Sequence, residues 1–274
     1  MGKIKNVPFR VFCYVLVVLF LFIYLFPLFF VANTSLKSAQ DYLLHPTALT
    51  STWSFGNYIT AWNKANFGAY IGNSILYTGV CTICSLLLSL LIAFPISRKY
   101  VPGAGFLYLL FLCGLFLPNG MIPTFQMVLN MGLYDTKIGY MLVMTGVNAT
   151  SVFFFTGYFK SIPRELDEAA ALDGCGYLRY VIRCIVPLAQ PAMVSMGMLS
   201  MIGVWNDIVS STIYLTSESN YNITRGLFVF TGQYSNDWTL TAAGLLVVAA
   251  PLILIYIFGQ RYIVDGVMAG GLKG

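Results

Sequence analysis

Residues 161–191, SIPRELDEAAALDGCGYLRYVIRCIVPLAQP, break the pattern of a chain that otherwise carries very little charge. Seven of its 15 basic and 10 acidic side chains fall here, Arg164, Glu165, Asp167, Glu168, Asp173, Arg179 and Arg183, and Lys160 immediately precedes them. Apolar segments flank the run on both sides, so it must meet water or a polar partner on one face of a membrane. Its residue types predict two short helices joined by a tight turn. Pro163 suits a first helical turn. Glu165, Asp167 and Glu168 favour the positive helix N-terminus, and Ala169 to Leu172 are good helix formers. Gly174 and Gly176 stop the helix and permit positive φ. A second helix is expected from about Tyr177 to Val186, with Tyr177, Tyr180, Val181, Cys184 and Ile185 on one apolar face. Arg179 and Arg183 lie one turn apart on another face, and Pro187 and Pro191 open the next apolar segment. The residues alone leave two readings open. One is a compact Ala-rich unit that a partner groove could enclose; the other is a solvated loop whose charges only set topology.

The rest of the chain is 58% hydrophobic and 9% charged, against about 25% charged in a soluble domain. That places it among membrane proteins. The scattered basic residues form no nucleic-acid footprint. Charge-free runs at roughly 11–32, 70–95, 104–129, 138–159, 187–206 and 240–259 each reach the ~20 residues that span a bilayer core. Pro118, Asn119, Gly120 and Pro123 interrupt the third, so its spanning part is expected to end near Leu117, with a second short helix from about Ile122 to Met131. The first apolar run is about 22 residues, longer than a signal-peptide core of about 7–15, and reads as a retained helix. Eleven Lys and Arg residues fall on the side of the N-terminus and of the 161–186 segment, and four on the other. Both termini are therefore expected in the cytoplasm. No cysteine falls on the outer side, so no disulfide is expected, and the pair Cys81 and Cys84 reads as packing.

Function is narrowed by what the spans lack. None contains Asp, Glu, Lys, Arg or His, so no intramembrane group marks a proton path. The only Gly-Lys pair, Gly2 and Lys3, has no room for a phosphate loop before it. One histidine, His45, supports neither a metal cluster nor a nucleophile–His–Asp set. Uphill transport by this chain would need energy from another protein. A stand-alone carrier or channel and a membrane enzyme are the competing classes. Polar span residues, including Gln126, Asn148, Thr150, Ser195, Ser200 and Asn206, together with Trp205, could line a solute path; interhelical hydrogen bonding and interface anchoring would use the same residue types.

Glu168-Ala169-Ala170, then Asp173-Gly174, Ile185, Pro187 and Pro191, resemble the EAA loop of bacterial ABC importer permeases. Trp205-Asn206-Asp207, the stretch Gly132 to Thr136, and the ending from Arg261 through Gly266 to Gly270, Gly271 and Lys273 are similar to its carbohydrate, maltose-permease-like branch. Cys175 stands where the family usually has Ala, and Asp207 where it more often has Glu. The resemblance covers most of residues 120–274 and implies an all-α type I importer permease fold with six transmembrane helices, in a bacterial plasma membrane. It divides the chain into an N-terminal helix and outer loop, 1–68, and a permease core, 69–274, with the coupling loop at 160–187. It implies ATPase coupling through Glu165, Glu168, Ala169, Ala170, Asp173, Gly174 and Arg179. It implies a C-terminal tail (Gly270, Gly271, Lys273) reaching the ATPases, and a solute path near Asn148, Trp205 and Asn206. The implied partners are a second homologous permease, two cytosolic ABC ATPase subunits, an extracytoplasmic sugar-binding protein, the sugar and the bilayer. ATP and Mg would belong to the ATPase, with no cofactor and no catalysis on this chain.

Overall fold

The computed structural model describes residues 7–51, 53–118, 120–230 and 237–271, and every regular element among them is helical. The helices are α1 (Val7–Ser35), α2 (Ala39–Leu44), α3 (Gly56–Lys64), α4 (Phe67–Arg98), α5 (Ala104–Gly114), α6 (Met121–Asn130), α7 (Lys137–Met144) and α8 (Ala149–Ser161). They continue as α9 (Glu165–Leu172), α10 (Tyr177–Tyr180), a π-helical turn (Val181–Ile185), α11 (Val186–Leu188), α12 (Gln190–Trp205), α13 (Val209–Tyr214), α14 (Ile223–Gly226) and α15 (Trp238–Gly271).

Among the described residues, three helices are long and apolar enough to cross a bilayer: Phe9–Ser35, Phe67–Arg98 and Trp238–Ile257. Two of the expected spans are bent. Lys137–Met144 and Ala149–Ser161 meet at 49°, and Tyr177–Leu188 and Gln190–Trp205 at 75°; counting each pair as one span gives five. The expected run 104–129 divides as its prolines and Gly120 suggest. Its first piece, the eleven residues of α5, is about 16 Å long, half of a ~30 Å core; α6 follows within a residue of its expected position.

The chain forms two units. One comprises residues 1–68 and 226–251, the other 69–225 and 252–274. In the first, the turn after α1 is held by its own polar groups. Asn33 Nδ2 donates to Ala48 O at 2.9 Å and its Oδ1 accepts from Thr50 N at 2.9 Å. The fully buried Lys37 donates to the carbonyls of His45 and Pro46 at 2.6 and 3.0 Å.

In the second unit α4 is the shared element. Near its start, Tyr77 and Cys81 pack with Val128, Tyr140, Val204 and Tyr214. Near its end, Leu86, Leu90 and Phe94 pack with Phe155 and Phe159 of α8, Tyr180 and Ile185, and Met196 of α12. One face of α4 carries Ser74, Thr78, Thr82, Ser85 and Ser89, all buried. Small polar residues at spacings of three and four let neighbouring helices approach closely inside a membrane.

Candidate functional site

The charged segment folds as two short helices, as expected, and the turn between them has a defined geometry. Gly174 takes φ +65°. Its N–H donates to Ala171 O at 3.1 Å and the Cys175 N–H to Ala170 O at 2.9 Å. This is a Schellman termination, which satisfies carbonyls that the helix end would leave open and requires a left-handed residue at Gly174's place. Gly176 is extended, at φ −63° and ψ 151°, rather than left-handed.

The rotation of α9 sorts its residues. Glu165, Glu168, Ala169 and Leu172 lie on the exposed face, with Leu172 89% exposed. Asp173, Gly174 and Arg179 are exposed as well. Ala170 does not join Ala169 on the outside; it packs, with Cys175, against the core of α4, α8 and the π-helical turn. The two alanines sit 100° apart on the helix, so only one can face a partner while the other faces the core.

Asp167 fixes that rotation. Its carboxylate meets Arg98, at the end of α4, with Nε 2.8 Å from Oδ2 and Nη2 3.3 Å from Oδ1. Tyr100 Oη donates to Oδ2 at 2.9 Å, and Tyr180 Oη donates to Oδ1. Arg98 Nη1 also donates to Ile162 O at 3.0 Å. The arginine side chain is 2% exposed and the aspartate's 11%. Burial, together with the hydrogen bond to Asp167, raises the Tyr100 phenol above its usual range. The sequence does not point to a bond between them: Asp167 reads as one of three acids at a helix N-terminus and Arg98 as one of the basic residues on the cytoplasmic side. The available signal was the position of Arg98, the first charge after a long apolar run.

Beyond α10 the backbone widens into the π-helical turn, then kinks at Ala189. Pro191 has no N–H to return to Pro187, which ends the ladder there. Tyr158 of α8 donates to Leu188 O at 2.7 Å, covering a carbonyl at the kink.

The other polar feature lies where three helices are broken. The start of α6, the break between α7 and α8 at 145–148, and α13 surround a cavity of about 430 Å³. Thr124, Met144, Gly146, Asn148, Ser210 and Tyr214 line it. Asn148 Oδ1 accepts from Thr150 N at 2.9 Å, capping α8. Non-helical backbone inside a span is tolerated where it is buried in protein or lines a cavity. Of the three sequence-derived path residues, only Asn148 lines this space. Trp205 is 2% exposed, so its ring is a packing element rather than a wall for solute, and Asn206 is exposed at the end of α12. Asp207 is a cap: Oδ1 accepts from Ser210 N at 3.1 Å, and Oδ2 from Ser211 N at 2.7 Å and Tyr140 Oη at 3.0 Å. At the C-terminus α15 continues through Gly270 and Gly271; Lys273 lies outside the described residues.

Residues 1–268 match the family described as binding-protein-dependent transport system inner membrane component. The chain is 33% identical over 265 residues to the inner membrane ABC transporter permease protein YcjP of Escherichia coli (strain K12), covering 93% of this chain and 94% of that protein. It is 29% identical over 263 residues to the diacetylchitobiose uptake system permease protein NgcG of Streptomyces coelicolor, covering 94% and 87%. Among solved structures, a bacterial ABC transporter involved in the import of the acidic polysaccharide alginate has a chain of the same fold, with a TM-score of 0.85 at 23% identity over 96% of this chain and 99% of that one.

Proposed function

The chain belongs to the family of inner membrane components of binding-protein-dependent transport systems, and we propose that it is a permease subunit of an ATP-driven importer for a sugar or oligosaccharide. It pairs with a second, homologous permease, and the two enclose the solute path. A cytosolic ABC ATPase subunit binds each permease, and an extracytoplasmic binding protein delivers the solute. ATP and Mg²⁺ belong to the ATPase, and this chain catalyses no reaction. The excess of Lys and Arg on one side supports cytoplasmic termini and a cytoplasmic α9. The names of relatives such as NgcG, a diacetylchitobiose uptake permease, support a carbohydrate solute. So does the cavity at the three helix breaks, whose hydroxyls and Asn148 amide suit a neutral, hydroxyl-rich molecule. The segment of Gly270, Gly271 and Lys273 extends toward the ATPases in this reading.

The observation that carries the proposal is the outward face of α9. A leucine 89% exposed beside Ala169, with Glu165 and Glu168 flanking it, is a poor surface for water. It is a good one for a cleft that takes an apolar knob and pairs two carboxylates. Asp167, bound to Arg98, and Ala170, packed against the core, hold that face in position.

The test is purification of the tagged chain from its own membrane in mild detergent. A second permease and an ABC ATPase are expected in stoichiometric amounts. Leu172→Asp should release the ATPase and retain the second permease. A complex without an ATPase, or one that keeps it undiminished after both Leu172→Asp and Glu168→Lys, overturns the reading.

A further inference from the structure

We infer that Asp167 and Arg98 form the joint through which displacement of α9 reaches the cavity at the 145–148 break, with α4 as the lever between them; this rests on α9 being the ATPase-docking helix. Asp167 is not on the docking face. It points to the opposite side, where Arg98 of α4, Tyr100 of the following turn and Tyr180 of α10 all donate to one carboxylate. A buried ion pair costs desolvation that good geometry and extra hydrogen bonds must offset, and a short surface helix could be anchored more cheaply by apolar packing. What this arrangement adds is a fixed register between α9, the end of α4 and the turn that enters the π-helical segment. Arg98 also grips the carbonyl of Ile162 at 3.0 Å, so the loop entering α9 is tied to the same guanidinium. A push on Leu172 or Glu168 therefore cannot move α9 without moving the end of α4.

The far end of that lever touches the cavity wall. Ser85 of α4 donates to Gly146 O at 3.3 Å, and Cys81 Sγ donates to Met141 O at 3.6 Å. Gly146 is one of the unwound residues that line the cavity. Thirteen helical residues separate Ser85 from Arg98, about 20 Å of rise. Pro95 removes one backbone bond within that stretch. Phe94 beside it packs edge-on against Phe159, with ring centroids 5.4 Å apart, and at 6.1 Å from Tyr180, which braces the helix at that point. Asp167 and Arg98 are thus positioning residues; neither touches solute.

The complete importer, with ATPases and binding protein, is reconstituted in liposomes. The six native cysteines of this chain are replaced by serine, and Ser210→Cys is introduced as a reporter on the cavity wall, where Asn148 and its cap on α8 stay intact. The maleimide labelling rate at that cysteine is measured without nucleotide and after trapping with ATP and vanadate. The unmodified joint should give a change of about fivefold or more between the two states, the lower end of ordinary allosteric coupling. Asp167→Asn and Arg98→Gln should each reduce it to less than about twofold, and Arg98→Lys, which keeps charge without the fork, should fall between. Ser85→Ala, which leaves α9 and its anchor intact, should also flatten the change while the ATPase stays bound and hydrolyses ATP at its basal rate. A labelling change that survives Ser85→Ala overturns the lever, as does one that survives both Asp167→Asn and Arg98→Gln. If the unmodified complex retains no ATPase, the docking assignment of α9 fails instead, a result separate from these.

Discussion

Replacement of Gly174 separates a conformational requirement from a steric one. A Cβ built at this position meets nothing within 4 Å, so no neighbour in the chain penalises a side chain there. The whole intramolecular cost comes from φ +65°. For an ordinary L-residue that costs about 1–2 kcal/mol. Asn enters the left-handed region several times more readily than other non-glycine residues, and a β-branched residue is worst placed there. One to two kcal/mol shifts the balance between capped and frayed turn by roughly 5- to 30-fold. The helix it terminates has eight residues and no side-chain N-cap, too short to be stable unaided. Loss of the Schellman bonds should loosen α9 and lower the apparent ATPase affinity in proportion to the docking-competent fraction. The expected order of ATPase affinity in detergent is Gly, then Asn, then Ala, then Val. Hydrogen exchange at the Gly174 and Cys175 amides should quicken in the same order. If crowding against the ATPase were decisive, the smaller Ala would be milder than Asn. An Ala variant that binds better than the Asn variant, or exchange unchanged in all three, refutes the conformational argument.

Further expectations follow from the packing and electrostatics. Gly139→Ala would bring a Cβ to 2.1 Å from the backbone oxygen of Leu133, which cannot swing aside, so thermal unfolding in detergent should show a loss of about 1–3 kcal/mol; Gly259→Ala, whose close neighbour is the flexible end of Met198, should cost much less. Trp205→Ala should lower complex yield together with uptake, by about 3–5 kcal/mol of stability, because the ring is buried; normal yield with lost uptake would return Trp205 to the solute path. Burial opposes ionisation of Asp135, but hydrogen bonds from Ser217 and Thr216 outweigh it and hold its carboxyl below the usual range. A depressed folded value stabilises above the unfolded pKa of about 3.9 and is lost as pH falls through the folded value. Protease resistance of the 215–221 segment should therefore stay constant from pH 7 to about 4, and an Asp135→Asn segment should be weaker across that range; loosening at pH 5–6 would contradict this.

The parts of the fold visible in the sequence are those set by local composition. Charge-free runs mark α1, α4 and α15. Pro118, Gly120 and Pro123 mark the division of α5 from α6, and Gly174 marks the end of α9. The bend between α7 and α8 was not apparent, since residues 138–159 read as one uninterrupted span. Thr145, Gly146, Val147 and Asn148 contain no proline, and the break is held by tertiary bonds from Ser85 and by Asn148 capping α8. A glycine followed two residues later by a capping asparagine was the local trace of it. The facing of α9 was equally hidden. Ala169 and Ala170 look equivalent in sequence, and only the bond from Asp167 to a residue 69 positions away decides which one turns outward.

These two hidden features have a common cause and a common consequence. Both depend on α4: Arg98 at its end holds Asp167, and its small polar face lets the α7–α8 break come close enough for Ser85 to donate to Gly146 O. Side chains any larger than serine or threonine along that face would hold the neighbouring backbone away and leave the Gly146 carbonyl unpaired at membrane depth, at a cost of several kcal/mol. The polarity of α4 is therefore no contradiction of its membrane setting. It is the condition under which a broken helix beside it can be stable, and under which an ion pair at its end can influence that break.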